Sequence, residues 1–330
     1  WETARFGALG TLSAELLAEA AFRDEPARAL FAGICAHQTI PLHHAFTSAY
    51  GLVLMMAGHV GGWPFIEGGS QRLAEALSRE IGRHGGNVNC GSAVNDVDDL
   101  DAYDRVILDC APREISRIAG ARLTPRYRDT LDAFRHGPGV VKLDYILDAP
   151  IPWRARDCSS AGTVHLGGTL SEIAAAKRQV ERADLPPHPF VIVGQCSAAD
   201  PTRSPDGRGT AWAYAQVPRT AGPEAVAAIE GQIERFAPGF SSRVAARRIS
   251  YPADLEAHDR NLVGGDIAGG ALTGLQMFLR PVPSLLPHRT PNSRLLICSA
   301  STPPGGGVHG MGGYWAADVV LRGGAMLGPV

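Results

Sequence analysis

The sequence is poor in charge and especially in lysine. Of its 330 residues, 19% are charged, the formal net charge is −2, and lysine occurs only at Lys142 and Lys177. No strong field of one sign draws the protein to nucleic acid, so we expect no nucleic-acid partner. Hydrophobic residues make up 45% of the chain, which is enough for a large core and excludes a disordered tail. At about 150 residues per domain, the length predicts two domains.

Long apolar runs are also missing. The most apolar stretch, residues 49–57, is interrupted by Gly51 and has less than half of the roughly 20 residues that a membrane span needs. No secretory signal with a basic start and an apolar centre occurs. We therefore expect a cytoplasmic protein without a transmembrane segment, and the sequence leaves peripheral contact with a membrane open.

Cysteine and histidine patterns point to no metal or redox centre. The six cysteines never form a C-x-x-C pair, so buried, reduced thiols are the simplest interpretation. His43 and His44 are adjacent in a predicted helix, where neighbouring side chains point about 100° apart. We therefore expect core or surface histidines there and no metal site. Hydrolytic motifs such as G-x-S-x-G and H-E-x-x-H are absent as well.

The order of the predicted elements indicates a mixed α and β protein. Apolar spacing predicts helices over residues 6–21, 25–35, 43–56, 71–83, 170–182, 223–236 and 314–321, and strands over 87–94, 105–108, 139–147, 163–166, 190–196, 210–217 and 294–298. The 43–56 helix is apolar nearly all round and is expected to be buried. Ser70 and Thr169 are the expected helix N-caps, the latter in a capping box with Glu172. The fold class is α/β (α+β mixed) with a mixed sheet.

The most informative segment is glycine-rich and lies near residue 306. Gly305, Gly307 and Gly310 form a G-x-G-x-x-G after a strand and before a helix. Too few residues follow for a complete βαβ unit of about 30 residues, so this is not the dinucleotide fingerprint. Bare backbone still allows close approach by a flat ligand, and a helix start favours negative charge. A packing turn without a ligand is the alternative.

Three blocks of sequence carry a resemblance to a known family. Residues 299–314, Ser-Ala-Ser-Thr-Pro-Pro-Gly-Gly-Gly-Val-His-Gly-Met-Gly-Gly-Tyr, resemble the C-terminal flavin signature of the phytoene desaturase-like FAD-dependent oxidoreductases. Residues 251–256 and 264–267, with Arg280-Pro281, are similar to the run before that signature. The middle block spans residues 63–94, from Trp63-Pro64 to Val94. The blocks come in the family's order and together cover most of the chain.

The resemblance implies a glutathione-reductase-like FAD fold with a separate substrate domain. Residues 58–119 and 290–330 would form the remaining part of the FAD-binding domain, and residues 1–57 and 120–289 the substrate-binding domain. The backbone of Val94 would meet the adenine. The segment facing the flavin ring and ribityl chain would be Pro304, Gly305, Gly306, Gly307, Val308, His309, Gly310 and Met311.

The sequence departs from the family pattern in three places. Ser299 stands where much of the wider family has glycine, and Pro303 stands where many members have histidine. The family's N-terminal glycine-rich βαβ unit, which cradles the FAD pyrophosphate, has no counterpart in residues 1–60. Since the chain begins at Trp1 within a helical pattern, we expect it to be the latter part of a longer enzyme. We also expect this chain alone to bind FAD poorly or not at all.

The implied activity is dehydrogenation or desaturation by hydride transfer to FAD, with a hydrophobic substrate such as an isoprenoid or lipid. His309 is the one titratable residue beside the implied ring, either as a proton carrier or as a structural hydrogen-bonding group at the helix start. Trp63, Phe65 and residues 52–56 would line a lipophilic pocket or belong to the ordinary core.

Two other functions remain open at this stage. A non-catalytic lipid carrier of the same fold would bind lipid without flavin chemistry, but it has no need for the glycine loop. A flavin amine oxidase would want an aromatic pair facing the flavin, for which Tyr314 and Trp315 are the nearby candidates.

Overall fold

The computed structural model describes residues 1–204 and 208–322, and the chain divides into two compact units. Unit 1 contains the described residues of 1–91 and 139–251, and unit 2 contains residues 92–138 and 252–322. These boundaries fall at different residues from the predicted ones. The assignment of residues 58–119 and 290–330 to FAD and of the rest to substrate stays a prediction. Residues 323–330 of the predicted segment 290–330 lie outside the described residues.

Both units contain helices and strands. The helices are α1 (Glu2–Gly10), α2 (Ala14–Ala21), α3 (Glu25–Cys35), α4 (Thr47–Gly61), α5 (Gln71–Arg83), α6 (Pro112–Ala119), α7 (Pro125–Asp132), α8 (Leu170–Glu181), α9 (Pro223–Phe236), α10 (Pro252–His258) and α11 (Met311–Leu321). The strands are β1 (Val106–Leu108), β2 (Gly139–Leu147), β3 (Thr163–Leu166), β4 (Val191–Gly194), β5 (Gly209–Val217), β6 (Val244–Ser250) and β7 (Leu295–Ile297). The predicted mixed α/β class is confirmed.

Unit 1 is built on a five-stranded sheet in the order β3-β4-β5-β2-β6. Every neighbouring pair is antiparallel. The apolar segments at residues 190–196 and 210–217, which the sequence suggests as neighbours in one sheet, form the adjacent strands β4 and β5. Alternation puts Val141, Leu143 and Tyr145 of β2 on the face that packs against α9. On the other face, Ile192 of β4 joins a second core cluster with α2, α3 and α8. The sheet thus lies between two layers of helices.

The capping box predicted at the start of helix α8 is present in the structure. The Thr169 hydroxyl accepts a hydrogen bond from the backbone N–H of Glu172, and the Glu172 carboxylate accepts one from the N–H of Thr169. These bonds satisfy two N–H groups that a helix start otherwise leaves unpaired. Ser70 occupies the N-cap position of α5 as predicted, but its side chain makes no cap hydrogen bond.

Unit 2 contains a parallel pair of short strands. Val106 of β1 pairs with Leu295 of β7, and Leu108 pairs with Ile297. All three residues of β7 are buried, as parallel strands usually are. Leu295 and Ile297 form one core with Val97 and with apolar residues of α6 and α7. The carboxyl ends of β1 and β7 therefore lie side by side at one edge of this pair.

Several predictions for the first 94 residues are wrong. Residues 6–21 form parts of two helices, because Ser13 caps the start of α2 with a hydrogen bond from the N–H of Leu16. The third helix starts at Thr47, and it is not buried all round, since Val53 is 50% and Met56 49% exposed. Its buried residues are Thr47, Ser48 and Gly51, so one side of the helix packs and its large apolar side chains are partly exposed.

The strand expected over residues 87–94 does not form. The segment has neither helix nor strand in the structure, and Val88 is 53% exposed. A strand needs a partner for its backbone groups, and no described strand pairs with this segment. Strand β6 was not predicted because its sequence carries Arg247 and Arg248 at an exposed sheet edge, where no apolar alternation is required.

The cysteines and paired histidines are placed differently from the prediction. All six cysteines are free, but only Cys35 is buried, and Cys90 is exposed. His43 and His44 lie in turns before α4, so the helical argument about their directions is wrong. His44 contacts Glu181 with 2.7 Å between Nε2 and Oε1, and the two imidazole centroids are 4.2 Å apart. They are surface histidines, and the absence of a metal site stays a prediction.

Within residues 1–204 and 208–322, no helix is both long and apolar enough to cross a bilayer.

Candidate functional site

The glycine-rich segment leaves the buried strand β7 and leads into helix α11. The N–H of Cys298 donates to the carbonyl of Leu108 at 3.1 Å, so the segment starts at the carboxyl edge of the parallel pair. Gly310, in the left-handed region at φ 66°, precedes the first residue of α11. Ligands of open α/β sheets bind at the carboxyl ends of strands. This edge is therefore the candidate functional site.

The first part of the segment is fixed by buried hydrogen bonds. The carbonyl of Ser299 accepts from both the N–H and the hydroxyl of Thr302, at 2.9 and 2.6 Å. The N–H of Gly305 donates to the carbonyl of Thr302 at 2.8 Å. Ser299, Ser301 and Thr302 are all buried. Serine and threonine at the start of the segment thus anchor the glycines that follow.

The second part presents main chain to solvent. Pro304 and residues 306–310 are exposed, and the Val308 side chain is 93% exposed. A Cβ atom on Gly306 would lie 3.0 Å from the carbonyl oxygen of Ala268, so glycine lets this strip lie close to the neighbouring loop. The bare main chain that the sequence predicted is present, and side chains do not cover it.

Arg280 holds the start of the segment through hydrogen bonds to backbone carbonyl groups. Its guanidinium donates to the carbonyl oxygens of Ser301 at 3.1 Å, Ala300 at 3.2 Å and Gly269 at 2.5 Å. The side chain is 2% exposed. Burial lowers the pKa of Arg280, although the negative charge of Asp266 opposes that shift. The family-like Arg280-Pro281 block therefore has a structural role that sequence reasoning did not assign.

Asp266 fixes the loop that lies beside the glycine segment. Its carboxylate accepts hydrogen bonds from the N–H groups of Gly137, Ala268 and Gly270 at 2.7 to 2.9 Å, and His136 Nδ1 lies 3.6 Å away. Burial alone would raise its pKa, but the His136 ring and the backbone N–H donors together lower it. A buried carboxylate with this many donors marks a loop of defined shape, for which the sequence signal was the Gly-Gly-Asp motif.

His309 is exposed and lies beside the start of α11. Its Nδ1 atom accepts a hydrogen bond from the N–H of Met311 at 3.0 Å. This hydrogen bond corresponds to the structural role at the helix start that the sequence suggested for His309. The role of His309 as a proton carrier stays a prediction.

Val94 belongs to the same unit as the glycine segment but lies outside any strand. Its partly buried side chain packs against the core cluster that contains Val106, Leu108 and Leu295. The chain at Val94 is therefore close to the parallel strand pair, although the predicted strand leading to it is absent. Its contact with an adenine stays a prediction.

Titratable side chains follow directly on β1 and β7. Burial raises the pKa of Cys298 to about 12 and of Cys110 to about 11, and the carboxylate of Asp109 adds to both shifts. Burial and the charge of Asp259 also raise the pKa of Asp109. The two thiols stay protonated at neutral pH. Sequence reasoning missed this group, although its position directly after two strands was a usable signal.

Comparisons with known proteins agree with this fold. No family model matches the chain. Over 350 residues the chain is 27% identical to the mouse pyridine nucleotide-disulfide oxidoreductase domain-containing protein 2, covering 91% of this chain and 59% of the relative. The chain thus spans about three fifths of the length of this relative.

Two solved structures share the fold. A redesigned putrescine oxidase has a TM-score of 0.54 at 19% identity, over 96% of this chain and 69% of its own. An oxidoreductase from Methanosarcina mazei also has a TM-score of 0.54, at 14% identity, over 94% of this chain and 68% of its own. These two matches cover almost the whole chain, so they include helices and strands of unit 1 and of unit 2.

Proposed function

We propose that the protein is a flavin-dependent oxidoreductase of the dehydrogenase or desaturase type, with FAD as its cofactor and a hydrophobic substrate. The observation that carries this proposal is the exposed main chain of residues 304–310, between a buried parallel strand and the start of α11. The relative's name and the fold shared with a putrescine oxidase support an oxidoreductase. Because the chain spans only part of that relative, the activity is proposed for the whole protein.

The residues at the site fit the flat part of a flavin. Gly305, Gly306 and Gly307 add no side chain to the exposed strip, so a ring can approach the backbone. The positive dipole end of α11 favours negative charge close to Met311, although the N–H of Met311 itself donates to His309. When bound, FAD would supply the chemistry by accepting a hydride from a substrate C–H bond. We assign Pro304, Val308, His309 and Gly310 to the same contact surface and Val94 to the adenine side.

Cysteine chemistry is a poor match to this site. A disulfide reductase needs a reactive thiolate, but the sequence has no C-x-x-C. The raised pKa values of Cys110 and Cys298, about 11 and 12, keep both thiols protonated. We therefore assign these residues to packing at the strand edge, and we favour dehydrogenation over disulfide exchange.

An amine oxidase is the second candidate, because the fold is shared with a putrescine oxidase. Tyr314 and Trp315 are in contact, with ring centroids 5.1 Å apart and planes at 79°. Both lie within α11, one turn or less after its start. A substrate comparison separates this candidate from the dehydrogenase and from a carrier without flavin chemistry.

The test uses the protein expressed from its complete gene and purified with FAD. Under anaerobic conditions, we expect a hydrophobic alkene or polyene to bleach the flavin absorbance and putrescine or benzylamine to leave it unchanged. Bleaching by amines alone would favour the amine oxidase. A protein that binds lipid but never carries a reducible flavin would be a carrier, and the proposal would be wrong.

A pair of glycine variants tests whether the flavin binds at the proposed surface. Gly306→Leu places a side chain against the carbonyl oxygen of Ala268, 3.0 Å from the new Cβ. The strip must then shift, and we expect the flavin content to fall by at least tenfold. Gly313→Leu is the control, because a Cβ there has nothing within 4 Å. Gly306→Ala makes a smaller change if the leucine variant does not fold. Equal flavin content in the Gly306 and Gly313 variants would remove this strip from the site.

A further inference from the structure

Unit 1 contains a mostly apolar pocket of about 950 Å³. Helices α3 and α4, strand β3 and the loops at residues 63–65 and 157–162 form its walls. The lining includes the aromatic side chains of Tyr50, Trp63, Phe65, Phe190 and Phe236. Its volume is at the upper end of the range for pockets that bind drug-sized molecules.

The wall at residues 63–69 is held in place by polar contacts. The carboxylate of Asp200 accepts from the N–H of Gly68 at 2.8 Å and from Arg203 Nε at 3.1 Å. The Arg203 guanidinium lies 5.0 Å from the centre of the Phe65 ring. The indole N–H of Trp63 donates to the carbonyl of Leu54 at 3.1 Å. Trp63 and Phe65 are therefore positioned on the pocket although each is more than a third exposed.

Two histidines form the polar part of this pocket. His37 follows the end of α3 and His165 is on β3, and their Nε2 atoms are 2.6 Å apart. The rings meet edge to face, with centroids 4.4 Å apart. Phe190 packs against His165 at 5.7 Å between ring centroids. Neither Nδ1 atom has a hydrogen-bond partner among the residues that the structure describes.

Both histidines are uncharged at neutral pH. Burial lowers the pKa of His37 to about 4, and the positive charge of Lys177 lowers it further. Burial also lowers the pKa of His165 to about 3, with a smaller contribution from His37. In a neutral pair, one Nε2–H donates to the other Nε2. One Nδ1 atom then accepts a hydrogen bond and the other donates one. A hydroxyl group can do both, so it matches this pair.

The pocket offers no buried countercharge to a cation. Asp157 is the one ionisable carboxylate among its lining residues, and it is exposed to solvent. An ammonium group that enters would lose its hydration and meet one Nδ1 acceptor and aromatic ring faces but no buried counterion, which is costly. An uncharged hydroxyl loses much less and regains hydrogen bonds from the histidine pair.

We propose that this pocket binds an uncharged, mainly hydrocarbon molecule through one hydroxyl or carbonyl oxygen, held by His37 and His165. The identification of this molecule as the substrate rests on the proposed function. Binding to the pocket does not depend on the proposed function, because the pocket residues belong to unit 1 and the proposed flavin surface belongs to unit 2. The proposal predicts a substrate class with one oxygen function and excludes a primary amine.

The test measures binding of three matched probes to the purified chain without flavin, by equilibrium dialysis at pH 7.5. The probes are 1-methylnaphthalene, 1-naphthalenemethanol and 1-naphthylmethylamine, which differ only in one small group. We expect the alcohol to bind about 3- to 10-fold more tightly than the hydrocarbon, as one or two hydrogen bonds allow. We expect the amine to bind at least tenfold more weakly than the alcohol.

Variants of the pair separate a direct contact from a structural role. His165→Leu should abolish the preference for the alcohol over 1-methylnaphthalene and leave the hydrocarbon affinity within twofold. His37→Gln keeps a hydrogen-bonding side chain and should retain a preference for the alcohol over 1-methylnaphthalene. This second variant keeps the test possible if the His165 variant does not fold. His188→Leu is the matched control, because His188 is exposed in the same unit.

The possible outcomes are distinct. Equal affinity for alcohol and amine, or an equal loss for all three probes in His165→Leu, would overturn the proposal. Absence of probe binding in a protein whose flavin is bleached by an alkene would also overturn it while leaving the proposed function intact. Probe binding with the expected preference in a protein that shows no flavin chemistry would support the pocket and contradict the proposed function.

Discussion

Gly312 lies directly against the carbonyl oxygen of Cys298, so that a Cβ atom on Gly312 would be only 2.3 Å from it. This contact brings the first turn of α11 against the end of β7. We expect Gly312→Ala to lower the free energy of unfolding by about 1–3 kcal/mol, because an added methyl group must displace main chain. Chemical denaturation followed by circular dichroism measures the change.

The neighbouring glycine provides the control. A Cβ on Gly313 meets nothing within 4 Å, and both residues are in α11. Because alanine favours a helix over glycine, we expect Gly313→Ala to be neutral or to stabilise by up to about 1 kcal/mol. Equal effects at the two positions would mean that the close contact with Cys298 does not limit this helix.

His309→Ala tests the role of the exposed imidazole. The substitution removes the acceptor for the N–H of Met311, and we expect a loss of about 0.5–1 kcal/mol in unfolding free energy. His309→Asn should restore it, since asparagine can accept from an N–H two residues on. In the flavin-loaded full protein we expect turnover to change less than threefold. A fall of 100-fold or more would instead identify His309 as a proton carrier.

Asp266 makes stability depend on acid pH. The hydrogen bonds that outweigh burial lower its pKa below the ordinary value of 3.8. Its stabilising contribution is therefore present above about pH 4 and is lost as pH falls through the lowered pKa. We expect Asp266→Asn to cost about 1–3 kcal/mol at pH 7 and to show a weaker loss between pH 4 and pH 2. Asp99→Asn, at an exposed position, should retain the wild-type acid profile.

Lys177 makes stability rise with pH in the alkaline range as well. This buried lysine donates to the carbonyl of Ala36 at 3.2 Å and to Gln216 Oε1 at 2.5 Å, and also to the carbonyl of Gln38. Burial lowers its pKa from 10.5 to about 7. Between these two pH values the unfolded chain binds the extra proton, so the contribution of Lys177 becomes more favourable as pH rises.

The difference between wild type and Lys177→Met isolates this effect. We expect the stability difference to change with pH by up to about 1.4 kcal/mol per unit between pH 7 and pH 10. Lys142→Met is the control, because Lys142 is the other lysine and is partly exposed. The same slope in both comparisons would contradict a lowered pKa for Lys177.

This chain alone is expected to bind flavin weakly. The proposed contacts involve the ring, and the sequence offers no glycine-rich βαβ cradle for the FAD pyrophosphate in residues 1–60. We expect the 330-residue chain to lose most bound FAD on gel filtration, and to bind riboflavin and FAD with affinities within about threefold. Flavin absorbance that co-elutes in equal molar amount with the chain would show this expectation to be wrong.

Much of the fold was predictable because its signals are local. Pro112 and Pro223 start helices as their fixed backbone angle suggests. The alternation in residues 139–147 and 210–217 matches two neighbouring strands within one residue at each end. The glycine run near residue 306 indicated exposed main chain, and the structure places it at the edge of a parallel pair.

The remaining errors concern interactions that depend on distant residues. Nothing in residues 87–94 alone reveals that no described strand pairs with them. The placement of Arg280 under Ser301 and of His37 beside His165 joins segments 21 and 128 residues apart. Such contacts follow from tertiary packing, which a periodic pattern in one segment does not encode.

The parallel pairing of β1 with β7 also sets an order of events during synthesis. Unit 1 has all of its sheet strands once the ribosome has passed Ser250, whereas Val106–Leu108 must wait until Leu295–Ile297 emerges. Folding during translation can therefore complete unit 1 first. A nascent chain stalled between these points would present β1 as an unpaired edge, which is the state most exposed to aggregation or to capture by a chaperone.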